Sequence, residues 1–593
     1  MTARSIPELL REVRAAHADR PAFRFKREGT WRDWDWARAE AECRRVSRAL
    51  LSLGLERGER MAIMSHTRLE WVLADLGIVG CGGTTVGIYP SSSAADCAHI
   101  LDHCEAETVL VDDSEQLAKV RGVRAGLPHL RRIVLLDGTS DPGSDVLAWD
   151  DLLRRAEEVP EARLEARQAE IGPDDVASIV YTSGTTGTPK GAMLTHGNLL
   201  FVAGSAREAL RVSPGGIYLL FLPLAHVFAR LTVHLCLSAG NTIAFAEGIH
   251  KATDNLHEVR PNFLAGVPRV YEKIHHHILA EVHKKGALRE RIFHWALDVG
   301  LRASRLEQQR RRLPPALAIR RALAQALVFR TIQSRLGGRV EFLISGAAPL
   351  DQAIAEFFHA CGILILEGIG MTENSSFSNV NRRDHFKFGS VGQPGPGIEV
   401  RLAPDGEVLV RGPNVMKGYF KDPPATAEAI DRDGWLHTGD VGEIDAEGFL
   451  RITDRKKDLI VTSGGKNVAP QRLERALASS LFISQAAVFG DRRKFITALV
   501  TLDPEHLRSW AAERGKEPNS LEHLSRDPDL RAVVEAEVEA ANAHLASYET
   551  VKKVRILPGE FTIEAGELTP TLKIRRKFLA QKYHQLIEEM YQE

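Results

Sequence analysis

The residues best suited to chemistry stand in a polar stretch that follows an apolar, β-branched segment, 176–181. The stretch ends in Pro189 and Lys190, and the residues before these two are Thr182, Ser183, Gly184, Thr185, Thr186, Gly187 and Thr188. Hydroxyls, accessible backbone N–H groups and one ammonium are the donors that bind a polyphosphate. A Walker A loop would end in Gly-Lys-Ser/Thr, whereas Gly191 follows Lys190 here. The pattern therefore predicts a polyphosphate loop of another class and disfavours a P-loop kinase or GTPase.

Further polar or small residues follow predicted strands later in the chain. They are Gly346, Ala347 and Ala348, then Gly368, Ile369, Gly370, Met371, Thr372 and Glu373, and finally Asp440. Small residues let a flat ring approach the backbone, and the carboxylates can bind hydroxyls or a cation. In open α/β sheets, ligands bind beyond the carboxyl ends of the strands, so these loops are expected to converge on one site.

These loops require sheets to position them. The first 170 residues or so alternate strand-like and helical patterns, with strands at 60–65 and 108–112, which predicts an α/β sheet domain. A second α/β unit is predicted to begin at Val176. Short segments of alternating hydrophobicity between 399 and 452 predict a small antiparallel, barrel-like unit. The charged segment 453–458 is predicted to be a linker, followed by a smaller α+β domain.

One stretch differs in composition from the rest. Residues 269–339 hold 16 Lys and Arg but 5 Asp and Glu, a local charge of +11, whereas the whole chain carries -1. The pattern predicts a basic helical insert at about 271–336. Within it, 313–329 reads as a cationic amphipathic helix, which is the kind of helix that lies on an anionic membrane surface. The alternative is an ordinary solvated helix packed on the large domain.

The overall composition bounds the class of protein. A chain of 593 residues is too long for one hydrophobic core, so several domains are expected. Six cysteines without Cys-x-x-Cys spacing are expected to be reduced thiols of a cytoplasmic protein. The N-terminus opens no apolar signal core, and no apolar run of about 18 residues occurs. Membrane contact is therefore expected to be peripheral at most, at the inner membrane face, and the net charge gives no overall attraction to nucleic acid.

In this order, the motifs resemble those of the adenylate-forming, or AMP-binding, superfamily of acyl-CoA synthetases, peptide-synthetase adenylation domains and luciferases. The resemblance runs from about residue 20 to the end. The segments that carry it are 181–191, 222–228, 368–373, 435–440, 452–460, 463–467 and 568–573. Within the superfamily, LPLAHVFAR, VPRVYEKI, LTPTLKIRRK and the basic insert are similar to the long-chain fatty acyl-CoA synthetase branch.

The resemblance implies a fold and a reaction. The fold is α/β, with a large N-terminal domain, 1–453, made of two α/β sheets and a barrel-like β unit, and a smaller mobile α+β domain, 454–593. The reaction adenylates a fatty acid with ATP and Mg²⁺, releasing pyrophosphate, after which the thiol of coenzyme A displaces AMP. The alternatives are an acyl-AMP ligase that loads a carrier protein and a non-catalytic nucleotide- or lipid-binding paralogue. Acyl length and oligomeric state are not readable from the sequence.

The resemblance also assigns nucleotide-binding roles. The loop 182–190 would bind the β- and γ-phosphates, and the small residues at 346–348 and 368–371 would line the adenosine site. Asp440 would accept hydrogen bonds from the ribose hydroxyls, with Arg455 nearby. The family usually has an aromatic residue at the position of Ile369, where it stacks on adenine. Because base–aromatic stacking contributes about 1–3 kcal/mol, ATP affinity is expected to be weaker here unless another ring substitutes.

The catalytic roles follow from the same resemblance. Thr372 would donate to the α-phosphate, and Glu373 would hold Mg²⁺. Lys573 would reach the α-phosphate and the acyl carboxylate and stabilise the adenylation transition state. His226 would line the site of the acyl carboxylate, although a lone histidine in an apolar stretch is more often structural.

A domain movement is implied as well. Asp454 would be the hinge, and rotation would bring the segment of Gly464, Gly465 and Lys466 to a channel for the thiol. On sequence alone, a simple turn fits these two glycines equally well. The consecutive histidines 275–277 resemble a metal site but are interpreted as a solvated helix face, because neighbouring helical residues point about 100° apart.

Overall fold

The structure is a computed structural model. It describes residues 2–140, 143–182, 189–248, 251–284, 286–456, 459–464, 466–480, 482–516, 524–525, 527–543, 545–563, 565–569 and 573–592.

The strands are, in chain order, β1 (Pro21–Arg27), β2 (Thr30–Asp35), β3 (Arg60–Met64), β4 (Thr84–Ile88), β5 (Thr108–Val111), β6 (Arg132–Leu135), β7 (Val146–Ala148), β8 (Val176–Thr182), β9 (Lys190–Thr195), β10 (Ile217–Leu220), β11 (Thr242–Phe245), β12 (Phe263–Gly266), β13 (Phe342–Ser345), β14 (Ile365–Ile369), β15 (Asn379–Val380), β16 (Gln393–Pro394), β17 (Glu399–Leu402), β18 (Glu407–Arg411), β19 (Gly418–Tyr419), β20 (Leu436–Ile444), β21 (Leu450–Arg455), β22 (Ile460–Val461), β23 (Asn467–Val468), β24 (Ile483–Phe489), β25 (Ile496–Leu502) and β26 (Val551–Ile556).

The α-helices are, in chain order, α1 (Ile6–His17), α2 (Trp36–Ser52), α3 (Leu69–Gly80), α4 (Ala94–His103), α5 (Ser114–Val123), α6 (Trp149–Arg154), α7 (Glu161–Ala169), α8 (His196–Leu210), α9 (Val227–Ala239), α10 (Ala252–Val259), α11 (Pro268–Lys284), α12 (Ala287–Gln308), α13 (Pro315–Ala324), α14 (Arg330–Arg335), α15 (Gln352–Ala360), α16 (Pro423–Ala429), α17 (Pro470–Ala478), α18 (Pro504–Glu513), α19 (Pro528–Asn542), α20 (Arg576–Lys582) and α21 (His584–Gln592).

Two large sheets form the N-terminal part, which confirms the predicted α/β class. One has the order β16-β15-β14-β13-β12-β10-β11-β1-β2, with parallel strands from β14 to β1. The other has the order β19-β9-β8-β4-β3-β5-β6-β7, with parallel strands from β8 to β7. The prediction of a separate second unit from Val176 onward is wrong, because β8 pairs with β4 in the same sheet as the earlier strands. Strands β1 and β2 instead join the sheet of the later strands.

Buried helices and both sheets share one core. Every residue of α9 is buried, as is nearly all of α3, because both helices are largely apolar and are packed on several sides. An ion pair joins the two helices: the Arg230 guanidinium donates to Oδ1 of Asp75 at 2.7 Å and also contacts the hydroxyl of Ser178. All six cysteines are buried free thiols, so the predicted absence of a disulfide framework is confirmed.

The small antiparallel unit is also found as predicted. Strands β17, β18, β20 and β21 form an antiparallel sheet in that order. Its last strand extends to Arg455, so the prediction of a linker starting at 453 is wrong for 453–455. Hydrogen bonding to β20 extends that far because Asp440 pairs with Arg455 and Val441 with Asp454. Of the rest of the predicted linker, residues 457 and 458 lie outside the described part of the chain.

The C-terminal domain is a sheet with helices on both faces. Strand β25 lies between β24 and β26, antiparallel to the first and parallel to the second. Alternate residues of these strands face two different cores, as the period of two in a strand requires. One core contains residues of α17, α18 and α19, and the other contains residues of α20 and α21. This agrees with the predicted smaller α+β domain.

The basic insert is helical, as predicted, and forms α11 to α14, with a π-helical turn at Gln325–Phe329 between α13 and α14. Helix α12 packs closely on α15: a Cβ atom at Gly300 would lie 2.5 Å from the carbonyl oxygen of Ala360. The interpretation of 275–277 as a solvated face is wrong for His275, whose ring packs edge-on against Phe357 at 4.4 Å between centroids. Burial lowers the pKa of His275 to about 4.

Among the described residues, the structure contains no helix whose length and apolar character would let it span a membrane.

Candidate active site

The predicted polyphosphate loop connects two paired strands. Thr182 ends β8, Lys190 begins β9, and the two residues are partners across the antiparallel pair. The Lys190 ammonium lies 3.9 Å from Oδ2 of Asp422 and 5.3 Å from the ring centroid of Tyr419. The predicted contributors that lie outside the described residues are Ser183, Gly184, Thr185, Thr186 and Gly187.

Glu373 and Lys190 both contact Tyr419. It follows β14 in a short 3₁₀ turn, and its carboxylate is buried, as is the side chain of Thr372. The hydroxyl of Tyr419 donates to Oε1 of Glu373 at 2.7 Å, and the backbone N–H of Met416 donates to the Glu373 carbonyl at 2.8 Å. Burial, followed by the charge of Glu373, raises the pKa of Tyr419. The tyrosine therefore stays a donor at neutral pH and orients the carboxylate.

The backbone before Glu373 is folded tightly, which explains its two glycines. A Cβ atom at Gly368 would lie 2.9 Å from the carbonyl oxygen of Asn379. A Cβ atom at Gly370 would lie 2.0 Å from the carbonyl carbon of Ser376, so any larger residue would push the two segments apart. Ile369 is half-buried between them and pairs with Asn379. Met371 donates its N–H to the Asn374 side chain at 2.8 Å.

The small residues after β13 lie at the ends of the neighbouring strands. The N–H of Gly346 donates to the carbonyl of Gly266 at the end of β12, at 3.3 Å. A Cβ atom at Gly346 would lie 3.2 Å from the Phe228 ring. Ala347 has a φ of +69°, in the left-handed region that side chains rarely adopt, and Ala348 is exposed. Gly346 is therefore buried, whereas Ala348 reaches the surface.

Asp440 is held by a neighbouring cation. Its carboxylate is buried, and the Nε atom of Arg455 donates to Oδ1 at 2.8 Å across the strand pair. The adjacent Gly439 donates its N–H to Oε1 of Glu407 at 3.0 Å. Asp454, the predicted hinge, is buried within β21 and accepts the N–H of Arg455 at 2.6 Å.

His226 has a defined tautomer and lies near Lys573. It caps the N-terminus of α9, where Nδ1 accepts the N–H of Phe228 at 3.1 Å, so the ring proton resides on Nε2. Burial, followed by the positive charge of Lys573, lowers the pKa of His226 to about 4. The ring is therefore neutral at pH 7 and presents one N–H donor. The charge of Lys573 in the C-terminal domain thus acts on His226 of the large domain.

The loop of Lys573 is held by its own backbone. Thr569 donates its N–H to the Lys573 carbonyl at 2.8 Å, and the N–H of Lys573 donates to the Thr569 hydroxyl at 3.0 Å. The Lys573 side chain is exposed beyond this turn. These two bonds link Thr569 and Lys573 on either side of the turn.

The predicted thiol-channel segment lies in a turn of the C-terminal domain. Gly464 and Lys466 belong to the turn between β22 and β23, and Gly465 lies outside the described residues. The Lys466 ammonium lies 5.8 Å from the ring centroid of Tyr548, in the same domain. Among the described residues, no hydrogen bond or ion pair joins Gly464 or Lys466 to the large domain. The contacts described for this turn, which include the Lys466 bonds to Thr462, lie within the C-terminal domain.

No local pattern in the sequence indicated an electrostatic effect between the two domains at Glu367. Glu367 of β14 is buried, and its carboxyl accepts the N–H of Leu350 at 3.0 Å. Burial raises the pKa of Glu367 to about 7, against an opposing effect from the charge of Arg475 in α17.

Tyr419 was not predicted from the sequence either, because a tyrosine after a glycine has no distinctive spacing. Only the pairing of β19 with β9 places it at the site.

A magnesium ion fits the site through one carboxylate. In the described part of the chain, no group of three or more His, Cys, Asp or Glu side chains is arranged to hold a metal ion. Mg²⁺ commonly takes one or two carboxylates and completes its octahedron with phosphate oxygens and water. The buried Glu373 carboxylate, oriented by Tyr419, has the required donor chemistry.

Comparison with known proteins agrees with this arrangement. The profile of a family described as AMP-binding enzyme matches residues 10–420, and that of the AMP-binding enzyme C-terminal domain matches residues 457–593. The chain belongs to the AMP-binding enzyme family. The resemblance seen in the sequence is therefore confirmed.

Similar members of this family include proteins from bacteria and plants. The chain is 39% identical to the long-chain-fatty-acid–CoA ligase FadD15 of Mycobacterium bovis, over 95% of this chain and 93% of that protein. It is 33% identical to the peroxisomal long chain acyl-CoA synthetase 6 of Arabidopsis thaliana, over 96% and 83% of the two chains. Among solved structures, the A domain of carboxylic acid reductase from Segniliparus rugosus superimposes with a TM-score of 0.79 at 22% identity, over 100% and 94% of the two chains. That likeness confirms the fold.

Proposed function

We propose that this AMP-binding enzyme is an ATP-dependent long-chain fatty acid–CoA ligase. The observation that supports the proposal is the effect of the Lys573 charge on the neutral ring of His226. A cation and an N–H donor are the groups that a reaction between two anions requires. The acyl class is taken from the relatives, which are named as long-chain ligases at up to 39% identity. Cytoplasmic localisation, and peripheral membrane contact through the basic insert, are parts of the same proposal.

The first step is adenylation. An oxygen of the fatty acid carboxylate attacks the α-phosphorus of ATP, a P–O bond forms, and the bond to the pyrophosphate leaving group breaks. Both reactants are anionic, so the step requires donors that are oriented before the reaction begins. The Nε2–H of His226 would donate to the acid, and the Lys573 ammonium would stabilise charge between the acid and the α-phosphate.

Other residues would hold the nucleotide. Lys190 and the loop before it would bind the β- and γ-phosphates, and Thr372 the α-phosphate. Asp440, fixed by Arg455, would accept the ribose hydroxyls. The adenine ring would lie against 346–348 and 368–371, where the backbone is open or tightly folded. Mg²⁺ at Glu373 would neutralise charge on the phosphate oxygens.

The second step transfers the acyl group to a thiol. The sulfur of coenzyme A attacks the acyl carbon, the C–S bond forms, and AMP leaves with the electron pair of the C–O bond. Lys573 and the predicted thiol-channel residues Gly464 and Lys466 belong to one domain, and the charge of Lys573 acts on His226. A rotation near Asp454, between domains 1–453 and 454–593, would exchange them. Asp454 and Arg455 are paired with β20, so such a rotation would have to begin at or beyond the end of this pairing.

Acyl length would be selected by summed burial. Each buried CH₂ contributes about 0.8 kcal/mol, so long chains gain over short ones while neighbouring lengths differ little. A broad preference among long acids is therefore expected.

The test incubates the enzyme with ATP, Mg²⁺, coenzyme A and saturated acids from acetate to stearate, with pyrophosphate and acyl-CoA measured separately. We expect both products with long acids and a loss of about 10²–10³-fold in adenylation for Lys573→Ala. The matched control is Lys577→Ala, which removes an exposed lysine four residues away. Synthetic acyl-AMP with coenzyme A should still give thioester in Lys573→Ala, because the second step does not use this lysine.

Other outcomes would overturn the proposal. Pyrophosphate release without acyl-CoA would mean that the protein adenylates the acid but passes the acyl group to a carrier protein instead of coenzyme A. Neither product with any acid would favour a non-catalytic binding protein. Equal activities of Lys573→Ala and Lys577→Ala would remove the catalytic role of Lys573.

A further inference from the structure

The basic insert carries most of the exposed large apolar side chains of the described chain. On α12 they are Leu288, Ile292 and Trp295, and on α13 and the π turn they are Ile319, Leu323 and Leu327. Elsewhere in the described part, only Ile444, Val461 and Tyr548 are comparably exposed, and they are far apart in sequence. We call the six residues on the helices the insert face.

Helical spacing shows that the insert face is ordered. Leu288, Ile292 and Trp295 follow each other by four and three residues, which places them on one side of α12. The same stripe continues to Val299, which is buried. Helix α13 packs on α12, and Arg321 contacts Glu307 near the C-terminal end of α12. The stripe is therefore covered at one end of α12 and exposed at the other.

The inner sides of both helices are already occupied. Phe293, Ala296 and Gly300 of α12 are buried, and Gly300 fits closely against α15. Ala324 of α13 is buried, while Ile319 and Leu323 are more than half exposed. The insert face is thus not the side that anchors the helices to the large domain, and its exposure requires another explanation.

Positive charge surrounds the insert face. Residues 287–330 contain ten Arg and three acidic side chains, a net charge of +7. The exposed arginines there that make no ion pair with an acidic side chain of the described chain are Arg289, Arg291, Arg305, Arg310, Arg311, Arg312, Arg320 and Arg330. Apolar side chains flanked by free arginines match a surface that is apolar inside and anionic outside.

We propose that the insert face docks on an anionic lipid bilayer. Leu288, Ile292, Ile319, Leu323 and Leu327 enter the boundary between headgroups and acyl chains, and Trp295 lies at headgroup depth, where its amphipathic ring is favoured. The unpaired arginines bind the lipid phosphates. This defines the surface, the two helices and the side chains that make the contact, beyond a general membrane affinity of the insert.

A bilayer fits this surface better than a second copy of the chain does. An isologous dimer through the insert face would bring two surfaces of +7 together, whereas anionic lipid neutralises them.

The insert face is also connected to the candidate site. Helix α11 begins two residues after Gly266, whose carbonyl bonds Gly346 of the site. Docking would thereby place the insert, and through it the site, beside a lipid phase.

The experiment measures co-flotation of the full chain with vesicles of phosphatidylcholine, with and without phosphatidylglycerol. An apolar variant carries Ile319→Gln, Leu323→Gln and Leu327→Gln, and a charge variant carries Arg289→Gln, Arg291→Gln and Arg320→Gln. The control variant removes the same charge elsewhere, through Arg27→Gln, Arg163→Gln and Arg432→Gln, all exposed arginines without an acidic partner in the described chain. Thermal melting establishes that each variant folds.

We expect binding to phosphatidylglycerol vesicles that weakens with salt and falls about tenfold or more in the apolar and charge variants but not in the control variant. Equal binding of all variants, or no binding of the parent chain at low salt, would overturn the proposal. A dimer that dissociates in the apolar variant, without vesicle binding by the parent, would assign the face to a second copy instead. No substrate enters this measurement, so its result is independent of the proposed ligase activity.

Discussion

The hydroxyl of Tyr419 donates a 2.7 Å hydrogen bond to the buried carboxylate of Glu373. The same ring lies 5.3 Å from the Lys190 ammonium, so one side chain joins the proposed phosphate-binding lysine to the proposed magnesium ligand. Tyr419 reaches this position because β19 pairs with β9, the strand that starts at Lys190. A tyrosine of this kind sets the orientation of a ligand without touching the reacting atoms.

We expect Tyr419→Phe to lower the affinity for Mg²⁺ by about 10–100-fold while the ring packing is retained, because groups that orient a metal ligand have effects of this size. The measurement is a Mg²⁺ titration of ATP–pyrophosphate exchange. The matched control is Tyr591→Phe, which removes a hydroxyl bonded to the Phe489 carbonyl at 3.1 Å in the C-terminal domain. An unchanged Mg²⁺ dependence in Tyr419→Phe would show that Glu373 needs no orienting donor.

We expect His226→Asn to make the protein less sensitive to acid. The unfolded chain binds a proton on this ring near pH 6.5, and the folded protein does so only near pH 4. The free energy of unfolding is therefore complete above about pH 6.5 and falls as the pH drops toward 4. Asparagine keeps a side-chain oxygen for the Phe228 N–H but does not titrate. Relative to the parent, the variant should gain roughly 1–2 kcal/mol at about pH 5 compared with pH 7.5.

Urea denaturation at the two pH values gives this comparison. The exposed His277 provides the control, since His277→Asn removes a histidine from a solvated position. A His226→Asn variant whose unfolding follows the same pH dependence as the parent would contradict the neutral buried ring. Adenylation should fall in the same variant, because the Nε2–H donor is lost.

We expect Glu367→Gln to stabilise the protein at alkaline pH. The folded protein keeps the Glu367 proton up to about pH 7, whereas the unfolded chain loses it near pH 4.5. The free energy of unfolding therefore falls as the pH rises from 4.5 to 7 and stays lower above that. Glutamine retains the acceptor for the Leu350 N–H and carries no charge. The gain at about pH 8 should be on the order of 2 kcal/mol, with little change at about pH 5.

Thermal melting at both pH values tests this expectation, with Glu443→Gln as an exposed control. Arg475→Gln is a second probe, because the charge of Arg475 lowers the pKa of Glu367 from the other domain. Its loss should move the Glu367 transition to higher pH. If the Glu367 transition had the same midpoint pH in Arg475→Gln as in the parent, the two domains would not be close to each other at this position in solution.

We expect Ile369→Tyr to tighten ATP binding by about tenfold or more, because an aromatic face adds about 1–3 kcal/mol of stacking on a base. The half-buried position beside Asn379 leaves the residue at the end of β14, where the adenine is proposed to lie. Calorimetric titration with ATP measures the effect, and Ile369→Val serves as the control for altered volume. Weaker binding by the tyrosine variant than by the valine variant would mean that the base lies elsewhere.

The local sequence determined which segments carry the site and which elements they follow. Thr182 and Lys190 end and begin strands, as the apolar run before them and the Gly/Thr run between them required. Gly368 and Gly370 were predicted as parts of a binding loop, and the structure adds the reason, which is the close approach of Asn379 and Ser376. The predicted strand ends are confirmed because turn residues and strand patterns depend on neighbours in sequence.

Only the tertiary structure decided which distant residues meet. Val176 was predicted to open a new unit, yet β8 pairs with β4, because strand order in a sheet is set by packing of the whole core. Asp454 was predicted in a linker, yet cross-strand bonds to β20 hold it in β21. Tyr419 bonds Glu373 across 46 residues of sequence. The charges of Lys573 and Arg475 act from the C-terminal domain on His226 and Glu367 of the large domain. No local pattern encodes such contacts, because they depend on the burial energy of the entire fold.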